Sequence, residues 1–155
     1  MATLNRTPSS SRTNPIKVKK DGFVYHYITQ PQAANLSRNM YTNSNFESDL
    51  MNSYAWDTAI VFIQTFGQNN YSRQTSLSSS LSKTGIVEEE QLHINDMAGN
   101  VSEWTTETFS ASGNPVVYRG GHYLNSSATT SNRNVTGLIS GNAIVGFRTL
   151  LYVNL

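Results

Sequence analysis

The spacing of apolar residues changes along this chain, and each change marks an element. Phe23-Val24-Tyr25-His26-Tyr27-Ile28 is an alternating aromatic and β-branched run that suits a strand. Thr29 and Gln32 then have capping-box spacing with Pro31 in the first turn, and Ala33, Leu36 and Met40 recur at helical intervals, which predicts a helix from about Pro31 to Met40. A second helix is marked by Trp56, Ala59, Ile60 and Ile63, with Ser53 to cap its start and Gly67 to end it. Its apolar stripe is expected to pack on a sheet. From Gly67 to about Gln91 the chain is polar and Ser-rich, with Gly85 and the acidic run Glu88-Glu89-Glu90, the pattern of long surface loops with a solvated acidic stretch. After Glu107, the runs Val116-Val117-Tyr118, Ala143 to Phe147 and Leu150 to Val153 read as strands joined by Gly, Asn and Ser clusters. Helices followed by irregular β structure make an α+β pattern.

Composition narrows this further. At 155 residues the chain fits one domain with a core that needs no disulfide. Charged residues are 14% and the net charge is +1, so no overall field steers the molecule toward nucleic acid or an anionic membrane. Arg6, Arg12, Lys17, Lys19 and Lys20 all precede the first acid, Asp21. Residues 1–21 therefore read as a flexible basic arm or linker, or as an attachment segment that orders against a larger assembly, with the domain proper over 22–155. Without interleaved aromatics the arm is not expected to bind nucleic acid. Cysteine is absent, which excludes disulfides, thiolate metal sites and a cysteine nucleophile. No apolar run approaches the ~20 residues of a membrane span, and the polar N-terminus lacks the apolar core of a signal peptide, so a soluble chain without membrane insertion or the common secretory route is expected.

Four segments occur in a telling order: Leu50-Met51-Asn52-Ser53-Tyr54-Ala55-Trp56, then Asn95-Asp96-Met97-Ala98-Gly99-Asn100-Val101-Ser102-Glu103-Trp104, then Tyr118-Arg119-Gly120-Gly121, then Val145-Gly146-Phe147-Arg148. Together they resemble the formylglycine-generating-enzyme/sulfatase-modifying-factor domain, a variant of the C-type-lectin fold. The resemblance implies two helices packed on a small, irregular antiparallel sheet with long loops. It casts Trp56, Asp96, Asn100, Glu103, Trp104, Arg119, Gly120, Gly121, Gly146, Phe147 and Arg148 as scaffold, with the two arginines expected to meet Asp96, Glu103 or backbone carbonyls. In the family, the Asn and Glu of the central turn can help bind calcium, which would put Asn100, Glu103 and nearby carbonyls forward as oxygen ligands here. No other cofactor or metal is expected.

Formylglycine-generating members carry two cysteines and an Arg after the Arg-Gly-Gly turn, and those positions fall on Asn125, Thr130 and Arg133. Neither Asn125 nor Thr130 can ligate copper as a thiolate, so that activity is expected to be absent. An iron branch of the fold uses clustered histidines, whereas His26, His93 and His122 are scattered. A non-enzymatic chain is the expectation.

Residues 122–145, between the last two motifs, are rich in Asn, Ser and Thr with interspersed aliphatic residues, a composition that suits an adaptable binding surface. This organisation resembles the variable proteins of diversity-generating retroelements, in which such a segment, here about 118–148, is diversified by adenine-directed mutagenesis of AAY codons. Lys, Glu, Gln, Met and Trp, which NNY codons cannot encode, all occur before Glu107 and none occurs after it. The resemblance implies a binding face of Tyr118, His122, Leu124, Asn125, Ser127, Thr129, Asn134, Val135, Leu138, Ile139 and Asn142. It further implies a cell-surface protein or glycan receptor, display on a phage tail or a bacterial surface, and either homo-oligomerisation or attachment to a particle through the arm. The competing readings are a divergent oxidase with a non-cysteine metal site and a structural domain of a phage particle.

Overall fold

The computed structural model describes residues 2–3, 16–85, 90–110, 113–139 and 141–154; Arg6, Arg12, Glu88 and Glu89 lie outside them. A short antiparallel pair, β1 (Ala2–Thr3) with β2 (Lys17–Val18), comes first. Ile16 is buried in the main core, so the packed unit reaches back beyond residue 22, where the domain was expected to begin.

Phe23–Ile28 does not form the expected strand. Val24, Tyr25 and Ile28 are buried and Phe23 and Tyr27 exposed, but Tyr27 turns the backbone at φ 55. Its N–H bonds the Asn142 carbonyl (2.9 Å), and the Ile28 carbonyl accepts the Trp104 indole N–H (2.8 Å). Its hydrophobic pattern therefore reports packing rather than a ladder.

Helix α1 (Gln30–Arg38) starts at the foreseen capping box: the Gln32 N–H donates to Thr29 Oγ1 (3.4 Å) and the Thr29 N–H to Gln32 Oε1 (3.0 Å). Strand β3 (Phe46–Leu50) leads into helix α2 (Ser53–Phe66). Its cap is Asn52 and not Ser53, because Asn52 is extended and its Oδ1 accepts the Ala55 N–H (2.8 Å), while the Ser53 hydroxyl reaches Glu107. Gly67 ends the helix as expected, its N–H on the Ile63 carbonyl (2.8 Å). A 3-10 turn at Tyr71–Arg73 and the small pair β4 (Glu90–Gln91) with β5 (Ile94–Asn95) interrupt the loops that follow.

Strands β6 (Ser102–Thr108), β7 (Val116–Arg119), β8 (Arg133–Thr136) and β9 (Val145–Phe147) form a sheet in the order β8-β7-β6-β9. The β8-β7 and β7-β6 pairings are antiparallel, as expected, while the chain crosses over before β9 and pairs it parallel to β6. Strand β10 (Thr149–Val153) pairs antiparallel with β3, closing the C-terminal end onto the entry to α2.

The main apolar cluster joins Trp104, Val116, Val145 and Phe147 of the sheet to Tyr25, Ile28, Ala33, Ala34 and Leu50. A second gathers Met51, Trp56, Ile60, Ile63, Tyr71, Met97 and Ala98 around the inner face of α2. Trp104 is fully buried and meets the Tyr118 ring edge-on at 5.6 Å. Trp104→Ala is expected to cost about 3–5 kcal/mol, whereas Ile139→Ser, at a side chain 91% exposed, should stay within about 0.5 kcal/mol. Thermal and denaturant melts of the two variants measure this division directly, and equal losses would refute it.

Candidate functional site

The segment that follows β7 is gripped first by Arg119-Gly120-Gly121. Gly120 adopts φ 82, and a Cβ there would lie 2.9 Å from the Trp56 ring; a Cβ on Gly121 would collide with the Ala128 carbonyl. Both positions thus require glycine. Arg119 is buried and its guanidinium is ion-paired to Asp57 of α2, a partner not expected from the sequence, while its Nε is buried without a hydrogen-bond partner among the described residues. The Trp56 indole donates to the Thr130 carbonyl (3.0 Å), tying the segment to α2 a second time.

At the other end, Arg148 forms a two-point pair with the fully buried Glu103, Nε to Oε2 at 2.9 Å and Nη2 to Oε1 at 3.1 Å, and Nη2 also donates to the Asn95 carbonyl at 2.7 Å. Gly146 lies against the Tyr25 carbonyl and Val101, and Phe147 is fully buried. Among the described residues Asp96 pairs with neither expected arginine; it accepts the Gly85 N–H (2.8 Å), and burial raises its carboxyl above the usual range despite that bond. Asn100 holds Ser82 at both ends of its amide, Oδ1 on the N–H and Nδ2 on the carbonyl, each at 3.0 Å. Calcium does not fit here: the Glu103 carboxylate is already neutralised by a guanidinium, and the Asn100 amide is committed to Ser82. Among the described residues no three His, Cys, Asp or Glu side chains gather as a metal site.

Between these grips the residues expected to share one face are dispersed over the two faces of the β7–β8 pair, the loop over 122–132 and the segment over 138–142. Tyr118 and Asn134 are cross-strand partners on β7 and β8, both half-buried. Val135 pairs with Val117 and so projects from the opposite face of the sheet, because side chains alternate along a strand. Burial raises the Tyr118 hydroxyl above its ordinary range. A tight turn over 122–128 exposes Leu124, Asn125 and Ser127; Asn125 Oδ1 accepts both the N–H (3.0 Å) and the hydroxyl (2.7 Å) of Ser127. His122 is half-buried there, its Nδ1 without a hydrogen-bond partner among the described residues and its pKa lowered by desolvation, which favours neutral imidazole. Half-buried Thr129 bonds Asn132 Oδ1 (3.0 Å). Leu138, Ile139 and Asn142 form the third group, exposed, with Asn142 beside Tyr27.

The positions of the family's thiols separate as well. Asn125 is exposed, whereas Thr130 is fully buried with its N–H and hydroxyl both on the Gln74 carbonyl (2.9 and 3.1 Å). His26 bonds the Ala143 carbonyl and His93 bonds Glu90 at the surface. Arg133, the position of the family's Arg, is paired to Glu107. Those two line a cleft of ≈ 520 Å³ with Asn52, Ser53, Tyr54, Asp57 and Arg119.

Fold and frame together define a C-type-lectin-like domain of the formylglycine-generating type. The family model for the Sulfatase-modifying factor enzyme 1-like domain matches residues 32–153, and the chain belongs to that family. Among solved structures, Treponema denticola variable protein 1 is similar with a TM-score of 0.62 at 14% identity, covering 95% of this chain and 78% of its own. CarF is similar with a TM-score of 0.54 at 19% identity, over 70% of this chain and 48% of CarF, so the chain spans about half of that protein. At these identities the likenesses show the fold. No curated protein matches the sequence, and no helix among the described residues is long and apolar enough to cross a membrane.

Glu107 gives the cleft a pH signature. The Arg133 hydrogen bond, opposed by partial desolvation and aided by Ser53, lowers its pKa in the folded state. A depressed carboxylate pKa contributes stability that is present above the unfolded value, about 4.3 for Glu, and is lost as pH falls through the folded value. The gap in melting temperature between the native chain and Glu107→Gln should therefore be widest near neutrality and close as the pH drops below that value. A gap constant down to strongly acidic pH would show that the pair contributes nothing through charge.

Proposed function

We propose that the chain is a non-enzymatic binding protein of the variable-protein type, presenting the segment between Gly121 and Gly146 to a receptor. The observation that carries this reading is the contrast along that segment. Its ends are buried and cross-tied to α2 and β6, while Leu124, Leu138 and Ile139 stand in solvent among Asn, Ser and Thr. Aliphatic side chains beside amides and hydroxyls supply burial and adaptable polar contacts to a partner, and the framework has already met most of the ordering cost. A cell-surface protein or glycan suits such a neutral, mixed surface. Display on a phage tail or a bacterial surface, with anchoring through the N-terminal arm, is the setting in which this arrangement works, and retroelement diversification would account for the missing Lys, Glu, Gln, Met and Trp after Glu107.

Loop exchange tests it. Replacing Leu124, Asn125, Ser127, Leu138, Ile139 and Asn142 with another Asn/Ser/Tyr-rich set should leave the melting temperature within a few degrees and change which cells or glycoproteins a multivalent display of the protein adheres to. Unchanged adhesion of a folded variant would remove the segment from recognition.

The non-enzymatic half has its own test. Incubation with copper, oxygen and a sulfatase-type peptide should leave the peptide cysteine intact, because Asn125 and Thr130 offer no thiolate and Thr130 is sealed in the core. Formylglycine in the peptide would overturn it.

A further inference from the structure

We propose that the outer face of α2 is the contact of a two-fold homodimer. A helix on a domain surface ordinarily turns its apolar stripe inward and charges outward, but α2 is apolar on both sides. Trp56, Ile60 and Ile63 are buried, while outside Tyr54 is 88%, Val61 60%, Phe62 42% and Phe66 69% exposed. Asp57, the one charged residue of the helix, is tied to Arg119. The polar residues in the stripe are already prepared for burial: the Thr58 hydroxyl donates to the Tyr54 carbonyl and the Thr65 hydroxyl to the Val61 carbonyl, both at 2.8 Å, so neither donor needs water. The Phe62 and Phe66 rings pack on each other with centroids 5.3 Å apart, and exposed Leu92, beside Gly67, extends the patch.

A second copy of the chain is the occupant these features fit. Tyr54, Thr58, Phe62 and Phe66 lie four residues apart and form one ridge, and two i±4 ridges interdigitate at a crossing angle of about −50°. A two-fold axis between Thr58 and Phe62 makes such a contact self-complementary, the same ridge on both copies. The stripe carries no free charge with which to select a charged partner, and a copy of itself is an equally uncharged surface. Three aromatic side chains of roughly 150–250 Å² each, with Val61 and the threonine methyls, offer on the order of 500–600 Å² per copy, which brings the total close to the about 1,200 Å² at which specific interfaces begin. The pairing is separate from the receptor-binding segment and stands or falls independently of it; where it forms, it presents two such segments together and raises apparent affinity by avidity.

Sedimentation equilibrium of the full chain is the test. The native protein should show twice the chain mass at its highest soluble concentration. Phe66→Asp and Tyr54→Asp, at exposed positions, should each halve the mass while keeping the native circular dichroism and a cooperative melt, lowered only by the stability that association contributed, and Ile139→Asp should leave it doubled. A native chain of single mass at that concentration would overturn the proposal and assign the stripe to a different partner. A dimer that persists in folded Phe66→Asp and Tyr54→Asp, or that Ile139→Asp dissociates, would place the contact elsewhere and overturn it equally.

Discussion

Glu103 places a carboxylate where water does not reach, and much of the architecture can be traced to how that charge is met. A buried ion left without its partner is heavily penalised, whereas a complete pair roughly balances desolvation against attraction. The pair with Arg148 therefore acts less as a source of stability than as a condition on assembly. It can form only when β6, the junction of β9 with β10, and the Asn95 carbonyl are in their final places. Burial works against the guanidinium charge, and the Glu103 carboxylate together with Asp96 and Tyr71 more than compensates, holding Arg148 protonated. The Arg148 carbonyl accepts the Met51 N–H at 2.9 Å, so the same residue also fixes the entry to α2.

That requirement separates what can vary from what cannot. The chain between Gly121 and Gly146 returns to the body through backbone groups at several points: the Tyr123 N–H on the Asn100 carbonyl, the Thr130 N–H on Gln74, and the Thr130 carbonyl under the Trp56 indole. These bonds do not depend on the identity of the exposed side chains. Thr130 itself is an exception, since its hydroxyl is also engaged and its side chain sealed, so it is part of the frame. Leu124 and Ile139 belong to none of the core clusters, so replacing them leaves those clusters intact.

What could be read in the sequence followed from whether its cause was local. The Thr29 and Gln32 box and the α2 stripe involve residues three and four apart, and both helices lie where that spacing puts them. Asn52 took the cap from Ser53 because the hydroxyl had a competing partner, Glu107, 54 residues away. Strands β3 and β8 escaped notice for a related reason. Phe46-Glu47-Ser48-Asp49-Leu50 becomes a strand by pairing with β10 about a hundred residues later, and Arg133-Asn134-Val135-Thr136 reads as loop until β7 supplies its ladder. The motif glycines and Trp104 were legible because their chemistry permits few roles. The Asp57 partner of Arg119 was not, since nothing local connects them.

The segment between Gly121 and Gly146 shows the same limit from the other side. Its Asn, Ser and Thr content marked it as surface, yet composition cannot assign alternate residues of a strand to opposite faces. Once β8 pairs with β7, Asn134 and Val135 must diverge, and Tyr118 becomes an edge of the Trp104 packing rather than a free contact. The exposed side chains among those expected at the face cluster at the two turns, around Leu124 and around Ile139. Turns are also where a change of side chain disturbs the fewest long-range contacts. Confining exposure to them is thus what a frame fixed by a buried ion pair permits, and it lets those exposed side chains change while the condition set by Glu103 stays satisfied.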